Sequence, residues 1–486
     1  MNRALRWYDM ITINIYFTGL TTLSQTMTPL VVPLLVQQFV GEAQQGTYYG
    51  TIRLWSLMVA LLVQSLMGLL SDRSTSRWGR RRPFIFIGTF ANLVVITLIG
   101  VSASLEGMTG YWTLFLLLLL MMVAANTAHG AVQGLIPDLV PEEQRGRYSG
   151  VKALLEVPIP LIIVSFTIGR LIANGQMWAA LFVCMGILLA TMLITMLAPE
   201  KPLLEKPPVL DWSPFIRLGL MTILFTLVIL SMGWLVRTLG AQVNPTSNAS
   251  FMISMGLLGL IAMAIAVAVG VYFSVRLSIG TAARENPNFT WWVVNRLAFL
   301  VGSTNLASFA VYFLQGRMGI ERELAAKPAS QLLLIVGVFI LFLSLPSGWL
   351  ADKFGRKPLV AISGLVAAAG TLVLILAPNM TIIYAGGVLV GAGTGLFYAA
   401  NWALGTDLVP KEEAGRYLGI SNLAGAGAGA VGAYIGGPIA DSFTLNLPSQ
   451  PGIGYVVLYA IYGLLFLFSV LALTKIHIKH DNFQIE

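Results

Sequence analysis

The chain has 486 residues, 57% of them hydrophobic and only 10% charged, and 29 Lys plus Arg against 21 Asp plus Glu leave it at +8. No aqueous surface hides that much apolar side chain, so a water-soluble globule is excluded and the solvent is a bilayer. The single cysteine, Cys184, excludes an intrachain disulfide and a cysteine metal site, and the basic excess belongs to loops at a membrane face rather than to a nucleic-acid partner.

Crossing about 30 Å of hydrocarbon takes about 20 mostly apolar residues as a helix, and that pattern recurs along the chain. Behind a short polar start, Met1 to Asp9, with no small-residue cleavage site after it, spans are expected at 10–38, 49–71, 83–104, 110–135, 148–173 and 176–198. A polar stretch, 199–214, separates them from two more at 215–237 and 251–275, and six others follow at 290–314, 331–350, 358–377, 382–406, 416–439 and 454–475. The expectation is an all-α polytopic membrane protein of fourteen spans. Residues 1–198 form one six-helix bundle, 199–289 a linker with two additional transmembrane helices, 290–475 a second six-helix bundle and 476–486 a tail. With both termini cytoplasmic, most Lys and Arg fall in cytoplasmic loops, Arg73, Arg77 and Arg80 to Arg82 in one of them; this sets the orientation and points to the plasma membrane.

Side chains within the spans suggest a path for a solute. In the fourth span, Asn126, His129 and Gln133 fall on one helical face among apolar neighbours. The first span contributes Thr22 and Gln25, and the first span of the second bundle Asn305 and Tyr312. Neutral donors and acceptors of this kind suit a hydroxyl-rich solute, although they also serve as hydrogen bonds between helices. Glu156 is the acid clearly inside an expected span, where a charge costs several kcal/mol unless paired or protonated. It is the candidate proton-coupling carboxylate, and a static pair with Lys152, four residues earlier, is the rival reading. Arg53 and Arg296 lie near enough to span ends to snorkel and are set aside as ligands. Pro158, Pro160 and Pro346 are expected to kink their helices.

The chain also repeats itself. Asp138-Leu-Val-Pro-Glu-Glu-Gln-Arg-Gly-Arg147-Tyr-Ser-Gly150 returns as Asp407-Leu-Val-Pro-Lys-Glu-Glu-Ala-Gly-Arg416-Tyr-Leu-Gly419, without a gap and 269 residues later. Gly68 to Asp72 and Gly79-Arg-Arg-Arg-Pro83 are echoed by Gly348 to Asp352 and Gly355-Arg-Lys-Pro358. The offset of 269 carries His129 onto Tyr398 and Gln133 onto Trp402, so both bundles offer polar or aromatic groups to a shared centre, where Trp402 can stack on a sugar ring. Two parallel six-helix repeats are the plan of one large class of carriers. Pro141 and Pro410 stand near a helix start, where a missing donor costs little.

The Gly-x3-Asp loop closing on Gly-Arg-Arg/Lys resembles the signature loop of the major facilitator superfamily. Ser71-Asp72-Arg73-Ser-Thr-Ser-Arg77-Trp-Gly79-Arg80-Arg-Arg-Pro83-Phe-Ile resembles, more narrowly, the same loop in sucrose-proton symporters and the glycoside-pentoside-hexuronide cation symporters. The resemblance implies alternating access between two bundles and a solute moved with a proton. It also implies that the loop acids and bases latch the cytoplasmic side when the carrier opens outward, with Asp72, Arg73, Arg80, Asp138 and Arg147 in one half and Asp352, Arg356, Asp407 and Arg416 in the other. Arg80 to Arg82 also read as plain anchors to anionic lipid. Substrate contacts are expected from Gln25, Asn126, His129, Gln133, Asn305, Tyr398 and Trp402, with Glu156 carrying the proton. The fourteen-span plan is similar to that of some drug-proton antiporters and bacterial peptide symporters, and it keeps a proton-coupled exporter of drugs or amphiphiles as the alternative. No HExxH, Walker or CxxC pattern occurs, and Gly427-Ala-Gly429-Ala-Val-Gly432 lies in an apolar span with no strand before it. Neither an enzyme nor a cofactor or metal is expected, and the carrier is expected to work as a monomer.

Overall fold

Hydrocarbon offers no partner to a backbone N–H or C=O, so a spanning segment that is not part of a closed barrel has to be helical. The computed structural model is helical throughout its spans and has no strand among the described residues. It describes residues 5–202, 212–243, 247–280, 286–409, 414–450 and 452–477, the side chains of 414–423 excepted; Pro410 and the Arg416 side chain, singled out above, lie outside them.

The segments of the first half are α1 (Asp9–Val40), α2 (Gln45–Asp72), α3 (Arg82–Ser102), α4 (Gly107–Leu139), α5 (Glu142–Ala173) and α6 (Met177–Thr195). Between the halves come α7 (Ser213–Gly240) and α8 (Asn248–Ile279). The second half holds α9 (Pro287–Ser308 and Ala310–Met318), α10 (Ala326–Phe354), α11 (Arg356–Leu376), α12 (Met380–Asp407), α13 (Ala414–Asn446) and α14 (Ile453–Leu473). Twelve of these are each long and apolar enough to cross a membrane. The two parts of α9 are bent by 63° about Phe309 and make a thirteenth only if counted as one span. The 33-residue α13, rich in Gly and Ala, is not among the twelve, so twelve or thirteen candidate spans stand among the described residues where fourteen were expected.

Most helices overrun their expected ends, and one overrun matters. α13 continues past 439 to Asn446, which brings Asp441 inside a helix and 4% exposed. Prolines act unequally. α5 breaks between Glu156 and Pro158 and has a wider turn at Val164–Ile168, whereas Pro346 sits within α10 without interrupting it.

Glycines decide how the halves meet. At one end of α2 a Cβ on Gly50 would lie 2.3 Å from Ala433 O, and one on Gly437 would lie 2.1 Å from Gly46 O, so the backbones of α2 and α13 touch there. Towards the other end they part, and a Cβ on Gly425 would meet nothing within 4 Å. Other contacts close the same distal side: Tyr312 Oη donates to Pro33 O at 2.7 Å and Gln315 Nε2 to Gln37 Oε1 at 3.1 Å. The start of α13, the end of α12 and the end of α2 therefore share the open side. The Asp352 to Pro358 loop joins them there, since Arg356 pairs with Asp407. The extra helices α7 and α8 pack on each other and along α13, where Gly233 faces the Tyr434 ring and Gly259 faces Ile439.

Candidate functional site

Two adjoining cavities occupy the opening between the halves. The larger, about 810 Å³, is walled by α2 and α4 on one side and by α9, α12 and α13 on the other, and runs past Gln64 and Gly68 to Asp72. The smaller, about 280 Å³, lies deeper among α1, α2, α4 and α5. Leu57 and Ala60 border both, so the two form one path that opens on the loop side and ends below the α2–α13 contact.

The polar face of α4 is divided along this path. Asn126 and His129 line the smaller cavity and Gln133 the larger. His129 Nε2 is 3.1 Å from Gln133 Nε2 and the ring stands edge-on to Phe17, which fixes its plane. Glu156, at the end of the first helix of α5, reaches the smaller cavity and lies 3.6 Å from Lys152 Nζ, so the ion pair and the place in the cavity wall occur together. Lys152 Nζ in turn lies 4.1 Å from the centre of the Phe17 ring. Tyr398 lines the larger cavity, and the half-exposed Trp402 ring lies 5.3 Å from the Arg296 guanidinium. Trp402 itself lines neither cavity, and two further expected contacts are placed elsewhere. Gln25 borders neither cavity. Asn305 has no exposed surface and donates to Val301 O and Ala428 O, which makes it a bond between α9 and α13. Thr22 is likewise wholly buried.

Arg53 and Arg296, set aside as snorkelling residues, line the path instead. Arg296 Nη1 donates to Asn401 Oδ1 at 2.9 Å, Asn401 Nδ2 to Asn295 Oδ1 at 2.7 Å and Asn295 Nδ2 to Ser469 O at 2.8 Å, a relay that anchors the guanidinium to α12 and α14. A helix face is set by packing, and distance from a span end does not reveal it.

On the loop side the charges form one cluster per half. Arg81, 4% exposed, pairs with Asp72, donates through Nε to Asp138 Oδ2 at 2.9 Å and through Nη1 to Ser71 Oγ at 2.7 Å. Arg80 also pairs with Asp138. In the second half Arg356 pairs with Asp407, lies 3.7 Å from Asp352 and donates to Ala403 O. Arg81 is thus the counterpart of Arg356, and the repeat registers on Pro83 and Pro358, not on the loop glycines. The next residue along agrees: Arg82 donates to Ala198 O after α6, and Lys357 Nζ to Ile476 O after α14. Arg73 closes α2, and Arg147 is exposed. The pairs formed by Arg80, Arg81 and Arg356 bind helices of one half together. Of the two readings held open for Arg80 to Arg82, the buried Arg81 among three acceptors does not fit the lipid anchor.

Two acids went unread in the sequence. Asp441, from the second half, accepts from Gly46 N at 2.9 Å and Thr47 N at 2.7 Å, capping the start of α2 in the first half across the closed side. Ending α13 at 439 hid it. Glu200, beyond α6, accepts from Arg81 N at 2.6 Å and Arg82 N at 3.1 Å at the start of α3. Burial outweighs those donors and holds its carboxyl above the usual range.

Comparison with known proteins agrees with this architecture. Residues 16–318 and 297–482 match the profile of the Major Facilitator Superfamily. Sucrose transport protein SUC3 of Arabidopsis thaliana is 31% identical over 120 residues, 20% of this chain and 19% of that protein. Minor myo-inositol transporter IolF of Bacillus subtilis is 34% identical over 88 residues, 18% of this chain and 20% of that one. These matched stretches span about a fifth of the relatives' lengths. The crystal structure of a D-xylose-proton symporter superposes with a TM-score of 0.63 at 15% identity, covering 97% of this chain and 98% of that one, which is a likeness of fold. Two repeated bundles around a shared path, with the signature loop clamped in each, make this chain a transporter of the Major Facilitator Superfamily.

Proposed function

We propose that this transporter imports a sugar or glycoside together with a proton. The observation that carries the reading is the deeper cavity, which Asn126 and His129 of α4 line together with Thr21, Ser24 and Thr28 of α1, and where a carboxylate, Glu156, shares the same space. A carboxylate that meets the solute path can take a proton from one side and release it to the other. The names of the sucrose and inositol relatives support a polyol or sugar as the solute, and the xylose-proton symporter's name supports proton coupling. The basic loops support a cytoplasmic position for the open side, with both termini inside a plasma membrane. In this reading Asp72, Arg81 and Asp138, with Asp352, Arg356 and Asp407, hold the loop side rigid and rearrange when that side closes.

Met121, Met122 and Leu20 in the same cavity favour a second reading, a proton-coupled exporter of amphiphiles. Reconstitution separates the two. In liposomes with an outward-acid pH gradient, labelled sugars are expected to accumulate. Glu156→Gln is expected to abolish accumulation while leaving exchange of the solute down its own gradient. Proton-driven efflux of lipophilic cations with sugars inert would establish the exporter instead.

A further inference from the structure

The solute path carries positive charge that the protein does not neutralise. Arg53 on α2 lines the deeper cavity and Arg296 on α9 the outer one, so each half supplies one guanidinium. Among the described residues no carboxylate lies within ion-pair distance of either, and the Nε atoms of both are buried without a hydrogen-bond partner. The acids on the walls are already engaged: Glu156 by Lys152 and Asp72 by Arg81. What Arg296 does contact is neutral, the Asn401 amide and the rings of Trp402 and Trp292 at 5.3 and 5.9 Å, which orient a cation without cancelling it. Arg53 is crowded from the far side by α13, where a Cβ on Gly429 would lie 3.3 Å from its Nη2.

An unbalanced guanidinium at this depth is costly unless something negative visits it. A planar fork of N–H donors matches an oxyanion better than it matches a lone hydroxyl. We infer that the transported solute bears an anionic oxygen group, a carboxylate or a phosphate ester, met first by Arg296 near the open side and held by Arg53 at the closed end. The inference rests on the cavities being the solute path proposed above, and it narrows the solute from neutral sugars to acidic ones.

The test uses the full chain in proteoliposomes with labelled glucose, glucuronate, glucose 6-phosphate and lactate. One of the two acidic sugars is expected to enter at least about tenfold faster than glucose, and which one tells carboxylate from phosphate. Arg53→Gln and Arg296→Gln are each expected to cut that uptake about tenfold, and Arg296→Lys to retain part of it. Arg317→Gln, whose parent side chain donates to Ile375 O away from both cavities, is expected to leave it unchanged. A thermal-shift titration of each purified variant with the accelerating acid separates lost binding from lost folding. Glucose entering as fast as both acids, or both Gln variants carrying the acid like the parent, overturns the inference and leaves the sugar reading intact. Lactate entering with every sugar inert overturns the sugar reading and keeps the anion. Movement of lipophilic cations alone overturns both.

Discussion

Arg81 and Arg356 hold equivalent places in the two halves but in different surroundings. The Arg81 side chain is 5% exposed and that of Arg356 33%. Removing a buried guanidinium loses several charge-assisted hydrogen bonds at once, at a cost of roughly 2 kcal/mol, whereas a partly solvated pair returns about 1 kcal/mol or less. Arg81→Ala is therefore expected to lower the unfolding temperature of the detergent-solubilised protein clearly more than Arg356→Ala. Equal losses would mean that burial does not set the strength of these clusters. Glu200 is the second residue-scale test. Glu200→Ala frees two N–H groups at the start of α3 and is expected to cost about 1 kcal/mol in the same measurement. Neither residue was legible as a contact from the sequence: three adjacent arginines look alike until packing buries one of them, and Glu200 lies in a polar stretch that resembles any linker.

At the scale of elements, the seam between α2 and α13 is what shuts the distal side. It combines backbones in contact at Gly46, Gly50 and Gly437 with the Asp441 cap on α2. Gly50→Val drives a branched side chain into Ala433 O and is expected to disfavour the closed seam by about 1–3 kcal/mol. Asp441→Ala removes both acceptors and is expected to disfavour it by about 1 kcal/mol. The two effects act on one contact and should not add. Thr47→Cys in a Cys184→Ser background reports the outcome: a membrane-impermeant thiol reagent added to the distal side should label it faster in either variant than in the parent. Unchanged labelling in both would show that closure is held elsewhere, by α1 and α9. The repeat and the glycine-rich composition of α13 were plain in the sequence, but which glycine faces which backbone depends on helix rotation, and periodicity does not specify that.

For the whole molecule, a path closed at one end and open at the other is one of two end states of a rocking carrier. Spin labels at Ser65 and Gly425, which face each other across the larger cavity, are expected to approach when a pH gradient and a transported solute are supplied together, while labels flanking Gly46 and Gly437 move apart. Because α7 and α8 pack along α13, labels on α8 should keep their distance to α14 through the same change and shift relative to α6. No opposed change in the two pairs would remove alternating access as the mechanism. The sequence by itself determined the solvent, the all-helical class, the internal repeat and the acids of its signature loops. Those follow from hydrophobic length and from repetition, which are properties of one strand of residues read locally. Only the tertiary structure decided which polar side chains meet the path. It turned Asn305 into a helix contact, brought Arg53 and Arg296 into the cavities and set Asp441 against the other half. A side chain's exposure depends on what packs beside its helix, and those neighbours come from segments hundreds of residues away in the chain.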